Sequence, residues 1–426
     1  MTYSQTLDYL YAKLPMFTRV GAIAFKKNLD NTIKFCEYLH HPETKFKTLH
    51  IAGTNGKGST SHMLAAVLQK AGYKTGLYTS PHLKDFRERI KINGEMISEE
   101  EVIDFVEENK SFIEELSPSF FEATVAMAFN HFAKHKVDIA VIEVGLGGRL
   151  DSTNIISPEL SVITNIGYDH MNMLGNTLTE IASEKAGIIK PATPVVIGEY
   201  QEEIAQVFKQ KASENNSELT FASNEWCYDD SKIVDGKREI TIHGKEKTYN
   251  LKLDLIGTYQ IKNVKTVLST VAELNKKDFK ISDDALVSAV SEVKQLTGLM
   301  GRWQTLQEKP LVICDTGHNE DGIKEVLYNI SLTPHQQLRM VIGMVKDKEI
   351  SKILNLLPKN AIYYFCSPNL ERAKPAGELQ EEAFKFGLIG EAFPSVNSAL
   401  FRAKTDAKDS DLIFVGGSTF VVAEVV

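Results

Sequence analysis

The feature that most constrains the fold is a series of short apolar runs, each separated from the next by a longer segment with helical periodicity. The run VDIAVIEVG at residues 137–145 is almost continuously apolar, as expected of a strand buried on both faces of a parallel sheet. The runs TLHIAG, TGLYTS, LSVITNIG and TPVVIG are other candidate strands. Strands that alternate with helices in this way predict an α/β fold with a mostly parallel sheet.

The pattern changes twice along the chain. From Tyr228 to Leu255, polar and apolar residues alternate around a glycine turn, which predicts an antiparallel hairpin. After TGLMGRWQ, the runs PLVICDTGHN, LRMVIGMV, AIYYFCS and DLIFVGGS indicate a second α/β region. Because 426 residues are too many for one ordinary core, we predict two domains, residues 1–296 and residues 297–426.

Two helices have clear sequence signals. The stretch STSHMLAAVLQKAG places apolar side chains on one face and ends at Gly72. That face is predicted to consist of Met63, Leu64, Val67 and Leu68. The stretch ISEEEVIDFVEENKSFIEEL begins with Ser98 followed three residues later by Glu101, the pattern of a capping box.

Composition excludes several classes of protein. A net charge of -8 argues against nonspecific nucleic-acid binding, which needs a basic face. The sequence contains no apolar run of about 18 residues and no N-terminal secretion signal, so we expect neither a membrane span nor export. The cysteines have no metal-binding spacing and are interpreted as buried free thiols of a cytoplasmic protein. They are Cys36, Cys227, Cys314 and Cys366.

The stretch HIAGTNGKGSTS at residues 50–61 lies between a predicted strand and a predicted helix, as a phosphate-binding loop does. Its glycines allow backbone N–H groups to face an anion, Lys57 can reach phosphate oxygens, and Ser59 can bind a phosphate or its magnesium ion. In the usual motif the hydroxyl residue follows the lysine directly, whereas Gly58 intervenes here. An ordinary glycine-rich turn remains the alternative. The predicted nucleotide loop is Gly53, Thr54, Asn55, Gly56, Lys57, Gly58 and Ser59.

Acidic and imidazole side chains follow two further predicted strands. Glu143 ends a buried strand, and Asp169 and His170 follow the next one. Ligands of open α/β sheets gather at this carboxyl edge, so Glu143 and His170 are candidate metal ligands for a nucleotide site. The glycines of GLGGR do not form a dinucleotide motif, because Leu150 occupies the third glycine position. Lys185, judged from its neighbours alone, could equally be a solvated helix lysine.

Three polar residues mark the start of the second domain. Arg302 has the charge to balance phosphate, and Asp315 can accept hydrogen bonds from a nucleotide. His318 follows the same strand end. On spacing alone, linker and cap residues remain the alternative.

Six motifs in a fixed order link these positions. They are GTNGKGS, TSPHLKDFRERIKINGEMIS, EVGLGGRLDSTN, DHMNMLGNTLTEIASEKAGIIK, GTYQIKNV and DTGHNEDG. Together they resemble the folylpolyglutamate synthase/dihydrofolate synthase family of the Mur ligase superfamily over almost the whole chain. The resemblance implies an N-terminal P-loop-type ATPase domain with a mostly parallel sheet and a small antiparallel segment. It also implies a smaller C-terminal Rossmann-like α/β domain.

The resemblance assigns roles around a triphosphate. Ser59, Ser80 and Glu143 match ligands of one magnesium ion, and His170 is similar to a ligand of a second. Lys185 matches the lysine that the family carbamylates, which makes it a further metal ligand. The lysine of the loop, Lys57, is expected to act in catalysis.

Further matches concern the nucleotide and the substrate. Asn263, Arg302 and Asp315 match contacts to ATP, and His318 resembles a residue near the reacting phosphate. The positions that match the substrate site are Ser80, His82, Phe121, Glu122, Leu150, Asp151 and Ser152. The sequence departs from the family at Tyr259, where histidine is usual, at Met300 and at Glu320. These changes remove no expected ligand.

The resemblance implies an ATP-dependent ligase with ATP and two Mg²⁺ ions. It is expected to add L-glutamate to folate, and also to dihydropteroate, through an acyl phosphate. We expect a monomer with no nucleic-acid or membrane partner. The alternatives are a Mur-type amino-acid ligase of cell-wall synthesis and a non-catalytic nucleotide-binding module. The first is disfavoured because only about fifty residues precede the loop, and the second because a pure binder needs no second metal site.

Overall fold

The computed structural model describes residues 1–16, 28–346 and 350–426, which divide into two compact units. The first unit is Met1–Ile256 with Gln260–Leu299, and the second is Gly257–Tyr259 with Met300–Val426. The sequence-based division at Thr297 therefore lies three residues before Met300, and it did not anticipate that Gly257–Tyr259 groups with the second unit.

In the first unit, the described residues form an eight-stranded sheet, whose strands are β1 (Lys47–Ala52), β2 (Thr75–Tyr78), β3 (Ile90–Ile92), β4 (Glu95–Met96), β5 (Ile139–Glu143), β6 (Leu160–Ile163), β7 (Val195–Ile197) and β8 (Leu219–Phe221). Their order in the sheet is β4-β3-β2-β5-β1-β6-β7-β8. The six strands from β2 to β8 in this order are parallel neighbours, and β3 and β4 add an antiparallel edge. The predicted mostly parallel sheet is confirmed.

Helices connect and cover these strands. In chain order they are α1 (Tyr3–Lys13), α2 (Asp30–Tyr38), α3 (Lys57–Lys70), α4 (Glu99–Leu116), α5 (Phe120–Lys134), α6 (Met171–Leu174), α7 (Leu178–Ala186), α8 (Glu202–Glu214), α9 (Ala222–Glu225), α10 (Gln260–Lys276), α11 (Asp283–Val290) and α12 (Val293–Thr297). The helix predicted after the glycine loop is α3, and the one predicted after Ser98 is α4.

Helix α3 is more deeply buried than its sequence indicated. Every residue from Ser59 to Leu68 is buried, not only the predicted apolar face. The reason is that α3 lies between the sheet and the later helices α10, α11 and α12, so it is covered on several sides. The His62 ring is hydrogen-bonded to Thr297 Oγ1 at 2.7 Å, whereas the buried hydroxyls of Thr60 and Ser61 have no hydrogen-bond partner among the described residues.

The predicted antiparallel hairpin is confirmed as β11 (Lys237–His243) and β12 (Thr248–Leu253). Their apolar side chains alternate and pack into the main core of the first unit. The short strands β9 (Cys227–Tyr228) and β10 (Lys232–Val234) pair with β11. Cys227 lies on β9 and is exposed, so the prediction that all four cysteines are buried is wrong at this position. The reason is that β9 is a two-residue edge strand, and both of its side chains are exposed.

In the second unit, the described residues form a six-stranded sheet, whose strands are β13 (Gln304–Glu308), β14 (Leu311–Cys314), β15 (Leu338–Ile342), β16 (Ile362–Cys366), β17 (Gly390–Phe393) and β18 (Leu412–Gly416). Their order in the sheet is β13-β14-β18-β15-β16-β17, and all neighbours are parallel except the β13–β14 pair. The helices are α13 (Glu320–Leu332), α14 (Ile350–Leu356), α15 (Ala376–Phe384), α16 (Val396–Asp406) and α17 (Thr419–Ala423). The predicted second α/β region is confirmed.

Within the described ranges, none of the helices is both long enough and apolar enough to cross a membrane.

Candidate active site

The glycine loop has a backbone shape that other residues would not adopt readily. Gly53 has a φ of 144° and Gly56 a φ of 84°. A Cβ at Gly53 would lie 1.9 Å from Thr164 Oγ1, and a Cβ at Gly56 would lie 2.3 Å from Asn263 Oδ1. Both glycines are thus required by close neighbours as well as by conformation.

The segment after β6 holds the loop in place. The Thr54 and Asn55 N–H groups donate to the backbone and side-chain oxygens of Asn165, each at 2.9 Å. Thr164 Oγ1 donates to the Asn55 carbonyl at 2.6 Å. Since these two loop N–H groups are used within the protein, the N–H groups at the start of α3 are the ones oriented for an anion.

Two lysines converge on the first carbonyl of this loop. Lys57 Nζ donates to Gly53 O at 3.0 Å and to Thr54 O at 3.1 Å. Lys185 Nζ donates to the same Gly53 oxygen at 2.9 Å. Lys185, from α7, is only 4 % exposed, so the interpretation as a solvated helix lysine is wrong. It is buried because α7 packs into the hydrophobic core that also contains the end of β6.

The environment of Lys185 changes its ionisation. Burial, together with the neighbouring charge of Lys57, lowers the pKa of Lys185 to about 7. The negative charges of Asp169 and Asp151 act in the opposite direction and raise the pKa of Lys185. Both carboxylates are therefore close enough to interact with this amine electrostatically. A substantial fraction of the amine is therefore uncharged at neutral pH, and an uncharged amine is nucleophilic.

An acidic group lies at the same edge of the sheet. Glu143 is the last residue of β5 and pairs in register with Ile51 on β1, two residues before the loop. Its Oε2 accepts a hydrogen bond from the Ser80 N–H at 3.2 Å. Ser80 follows β2, the neighbour of β5 on the other side. The predicted magnesium ligands Ser80 and Glu143 are thus adjacent in the structure.

Helix α10 supports the loop from behind. Gln260 Nε2 donates to Ser59 Oγ at 3.1 Å, and Asn263 Nδ2 donates to Gln260 Oε1 at 2.7 Å. The same Asn263 side chain lies against Gly56. Gln260 is fully buried and was not among the predicted site residues. The motif GTYQIKNV contained it, but only the contacts show that it fixes the hydroxyl of Ser59.

The loop after β5 orders the neighbourhood of Lys185. Arg149 donates its N–H to the Glu184 carbonyl at 2.8 Å and pairs with the Glu184 carboxylate at 2.8 Å. A Cβ at Gly148 would lie 2.9 Å from the carbonyl oxygens of Glu184 and Lys185. The GLGGR segment therefore packs tightly against the end of α7. This packing accounts for a glycine in the segment, so a dinucleotide-binding motif is not needed to explain it.

Several predicted substrate residues lie around Gly145. A Cβ at this glycine would lie 2.4 Å from the Phe121 ring and 3.2 Å from Asp151 Oδ2. Asp151 is buried, and its carboxylate accepts hydrogen bonds from Leu146 N at 2.8 Å and from Thr153 N at 3.0 Å. Burial raises the pKa of Asp151. Leu150 and Ser152 flank it in sequence and are both half-buried.

Two predicted substrate residues have structural partners. The Glu122 carboxylate accepts from Ser119 N at 2.6 Å and from Asn31 Nδ2 at 3.2 Å, which completes a capping box at the start of α5. His82 Nδ1 accepts from Arg89 Nε at 2.8 Å. Burial and Arg89 lower the pKa of His82 to about 3, so the ring is neutral. Their substrate roles stay predictions.

His170 has a left-handed backbone conformation with φ of 50° immediately before α6. Its Nε2 atom is 3.8 Å from Asp169 Oδ1, and its side chain is 32 % exposed. An exposed imidazole at the carboxyl edge of β6 is accessible to an ion, but its role as a ligand of a second metal stays a prediction.

The second unit has its own polar cluster around Asp315. The Asp315 carboxylate accepts hydrogen bonds from Tyr259 Oη at 2.5 Å, from Trp303 N at 2.7 Å and from Gly317 N at 2.8 Å. Burial raises the pKa of Asp315. Tyr259, one of the departures from the family pattern, thus has a defined structural role.

Arg302 and His318 lie close to this cluster. Arg302 Nη1 donates to Thr316 Oγ1 at 2.5 Å, and His318 Nδ1 is 3.0 Å from the Thr316 carbonyl. The segment after β14 therefore holds both side chains. Their contacts to a nucleotide stay predictions.

Comparisons with known proteins define the class. Residues 51–271 match the Mur ligase middle domain, and residues 301–419 match the Mur ligase glutamate ligase domain. The first match covers the glycine loop, Glu143, His170, Lys185 and Asn263, and the second covers Arg302 and Asp315. The chain is a Mur-type ligase.

The relatives narrow this class further. The chain is 34 % identical over 398 residues to the dihydrofolate synthase/folylpolyglutamate synthase of Bacillus subtilis, covering 91 % of each chain. It is 28 % identical to the folylpolyglutamate synthase of Lacticaseibacillus casei, over 98 % of this chain and 96 % of that one. The chain belongs to the folylpolyglutamate synthase/dihydrofolate synthase family.

Solved structures agree with this assignment. Escherichia coli FolC in complex with DHPP and ADP superposes with a TM-score of 0.86 at 30 % identity, covering all of this chain and 97 % of that one. A bifunctional folylpolyglutamate synthase/dihydrofolate synthase with Mn, AMPPNP and L-glutamate bound gives a TM-score of 0.84 at 29 % identity, with coverage of 100 % and 97 %.

Proposed function

We propose that this protein uses ATP to join L-glutamate through an amide bond to a folate-type acid, including dihydropteroate. The observation that carries the proposal is the convergence of Lys57 and Lys185 on the Gly53 carbonyl, beside a loop that opens helix α3. The Lys57 ammonium would supply positive charge to a bound triphosphate, and the start of α3 would supply N–H groups, with the Lys185 amine beside them. The bound ADP, AMPPNP and L-glutamate of the related structures support it.

The chemistry follows from the poor reactivity of a carboxylate. One carboxylate oxygen of the acid would attack the γ-phosphorus of ATP, and the bond to ADP would break, which gives an acyl phosphate. The uncharged amine of glutamate would then attack the acyl carbon, lose a proton and expel inorganic phosphate. The loop N–H groups and the Lys57 ammonium would stabilise the charge on the phosphoryl group.

The oxygen donors fit a divalent cation. The Glu143 carboxylate is buried at the sheet edge beside Ser80, and the Ser59 hydroxyl lies at the start of α3. Hard oxygen ligands of this kind suit Mg²⁺ or Mn²⁺, which would neutralise phosphate charge when bound. We assign Ser59, Ser80 and Glu143 to one such site, and His170 with Lys185 to a second.

We further propose that Lys185 is carbamylated. Its amine has a pKa of about 7, so it can attack carbon dioxide and lose a proton to form an anionic carbamate with two oxygens. Lys185→Ala should then lose activity by about 100-fold or more and regain part of it with added short carboxylates such as acetate. Full activity in the untreated variant would contradict this role.

The remaining assignments concern binding. We assign Asn263, Arg302 and Asp315 to ATP contacts and His318 to the vicinity of the reacting phosphate. We assign Phe121, Asp151 and the adjoining Leu150 and Ser152 to the folate side, supported by their position around Gly145. His82 and Glu122 are assigned there on the resemblance.

The direct test measures phosphate release from purified protein with ATP and L-glutamate. Dihydropteroate and tetrahydrofolate are supplied separately, and the amide product is identified by mass. Release that depends on both glutamate and one of these acids supports the proposal and shows which activity is present. A non-catalytic module releases none, and a cell-wall ligase ignores both acids.

A further inference from the structure

Three metal-binding side chains meet at a place that the ligase chemistry does not use. They are Glu101 in the first turn of α4, His131 in the last turn of α5 and His135 directly after α5. One ligand atom from each lies within 4.8 Å of the other two. Glu101 Oε1 is 3.5 Å from His131 Nδ1 and 2.5 Å from His135 Nε2.

The sequence pattern partly concealed this cluster. Ser98 and Glu101 predicted a reciprocal capping box, and the Glu101 N–H does donate to Ser98 Oγ at 3.2 Å. The carboxylate of Glu101, however, is directed to the two histidines, and one of its oxygens also accepts from Ser98 Oγ. The capping-box prediction is therefore only half right, because histidines about thirty residues later engage the carboxylate.

The two histidines are arranged as a chelating pair. They are four residues apart, so they occupy the same face of one helical turn. Their ring centroids are 4.5 Å apart. The same spacing is used by helical zinc sites, in which two histidines four residues apart bind one ion.

We propose that Glu101, His131 and His135 form a site for a divalent transition-metal ion, with Zn²⁺ as the best match. Two imidazoles and one carboxylate are a common zinc donor set, whereas Mg²⁺ prefers oxygen ligands only. The fourth position would be filled by water, since His135 is 38 % exposed and Glu101 is 22 % exposed.

The distances are compatible with such an ion. Ligands at about 2.0–2.1 Å in a tetrahedron are about 3.4 Å from one another. The separation of 3.5 Å between His131 Nδ1 and Glu101 Oε1 already has this value. The pair of His135 and Glu101 must open by about 0.9 Å, which the exposed His135 side chain can do by rotating at the end of its helix.

The charges around the cluster are mixed. Lys134 is adjacent in sequence, and Lys74 Nζ donates to the His135 carbonyl at 2.6 Å. These two cations oppose a bound metal, and the Glu101 carboxylate compensates one positive charge.

The site is separate from the candidate active site. Helix α5 carries Phe121 at its other end, ten residues before His131, which corresponds to roughly 15 Å along the axis. A bound ion would join the first turn of α4 to the last turn of α5. We therefore infer a structural role, in which the ion stabilises the first unit without taking part in the ligase reaction.

The test uses the full-length protein freed of metals with a chelator and then supplied with millimolar Mg²⁺ to occupy the oxygen-rich site. Zn²⁺ is titrated by calorimetry, and Co²⁺ serves as a coloured probe of tetrahedral geometry. We expect one Zn²⁺ per chain, a tetrahedral Co²⁺ spectrum and a rise in Tm on the order of 2–4 °C. His135→Gln and Glu101→Gln should each lose all three.

Two control variants locate the ion. His170→Gln should keep the zinc signal, because it lies in the candidate active site. His243→Gln should also keep it, because His243 pairs with Asp229 at 2.9 Å on the exposed hairpin but belongs to no group of three metal-binding side chains among the described residues. His135→Gln should retain ligase activity with Mg²⁺. Zinc binding that persists in His135→Gln and Glu101→Gln, or that is absent from the wild type, would overturn the proposal.

Discussion

At the scale of single residues, Gly56 restricts the loop, because it combines a positive φ with a neighbour, Asn263 Oδ1, only 2.3 Å from where a Cβ would lie. In Gly56→Ala, the methyl group would displace Asn263 or shift the loop, and a shift of about 1 Å at a catalytic site can cost about 100-fold in rate. We expect phosphate release to fall by about that factor.

Gly72→Ala is the matched control for Gly56→Ala. Gly72 has a similar φ of 89°, but a Cβ there would meet no atom within 4 Å. Both variants should lose roughly 1–2 kcal/mol of stability through left-handed strain, whereas only Gly56→Ala should lose activity. Equal activities of the two variants would contradict the assigned role of the loop.

Lys185 gives a prediction for the pH dependence of stability. Its pKa is about 7 in the folded protein and 10.5 in its ordinary state. Between these values the unfolded chain binds more protons at this position, so this group makes the free energy of unfolding rise with pH from about 7 to 10.5. The maximal slope is about 1.4 kcal/mol per pH unit.

Lys185→Met should remove that contribution. The measurement is denaturant unfolding of both proteins across this pH range in buffer free of metal and carbon dioxide. The stability difference between the variant and the wild type should be largest at pH 7 and shrink towards pH 10. If the free energies of unfolding of the two proteins differ by the same amount at every pH, burial does not lower the pKa of Lys185.

At the scale of secondary-structure elements, helix α10 supports the loop through the linked side chains of Gln260 and Asn263. Removing the Gln260 amide leaves Ser59 Oγ and the Asn263 amide without a partner. Such a loss costs about 1.4 kcal/mol, or tenfold in affinity. Gln260→Ala should raise KM for ATP by about tenfold.

A surface glutamine provides the comparison for Gln260. Gln210 on α8 is exposed, and its side chain donates a hydrogen bond to Glu214 at 3.0 Å. Gln210→Ala should leave KM for ATP unchanged. If Gln260→Ala behaves in the same way, α10 does not position the loop.

The elements also show what the sequence could predict. Glu143 and the glycine loop were placed correctly at one sheet edge, because apolar runs identify buried strands and parallel strands share an edge. The burial of α3 on several sides was missed, since the sequence predicted only one apolar face, which consists of Met63, Leu64, Val67 and Leu68. The burial of its other sides depends on helices that follow two hundred residues later, which local periodicity cannot reveal.

The same limit applies to Lys185 and Glu101. Local sequence left a solvated helix lysine open as an interpretation of Lys185 and placed Glu101 in a capping box. The burial of Lys185 depends on the packing of α7 against the β6 edge, and the partners of Glu101 come from the end of α5. Contacts between residues distant in sequence determine both outcomes.

At the scale of the whole molecule, the net charge of -8 does not conflict with an anionic substrate. The site places the Lys57 ammonium beside the N–H groups that open α3, and local positive charge outweighs the total at short range. The six motifs of the sequence identified the family, whereas the roles of individual residues require the contacts. The property that defines a ligase of this family is the reaction that it catalyses.

Isotope transfer tests that chemistry most directly. The folate-type acid is prepared with oxygen-18 in its reacting carboxylate and incubated with the protein, ATP and L-glutamate. If an acyl phosphate forms, one carboxylate oxygen leaves with phosphorus, so each amide formed yields one oxygen-18 in inorganic phosphate. Amide product accompanied by unlabelled phosphate would contradict the account.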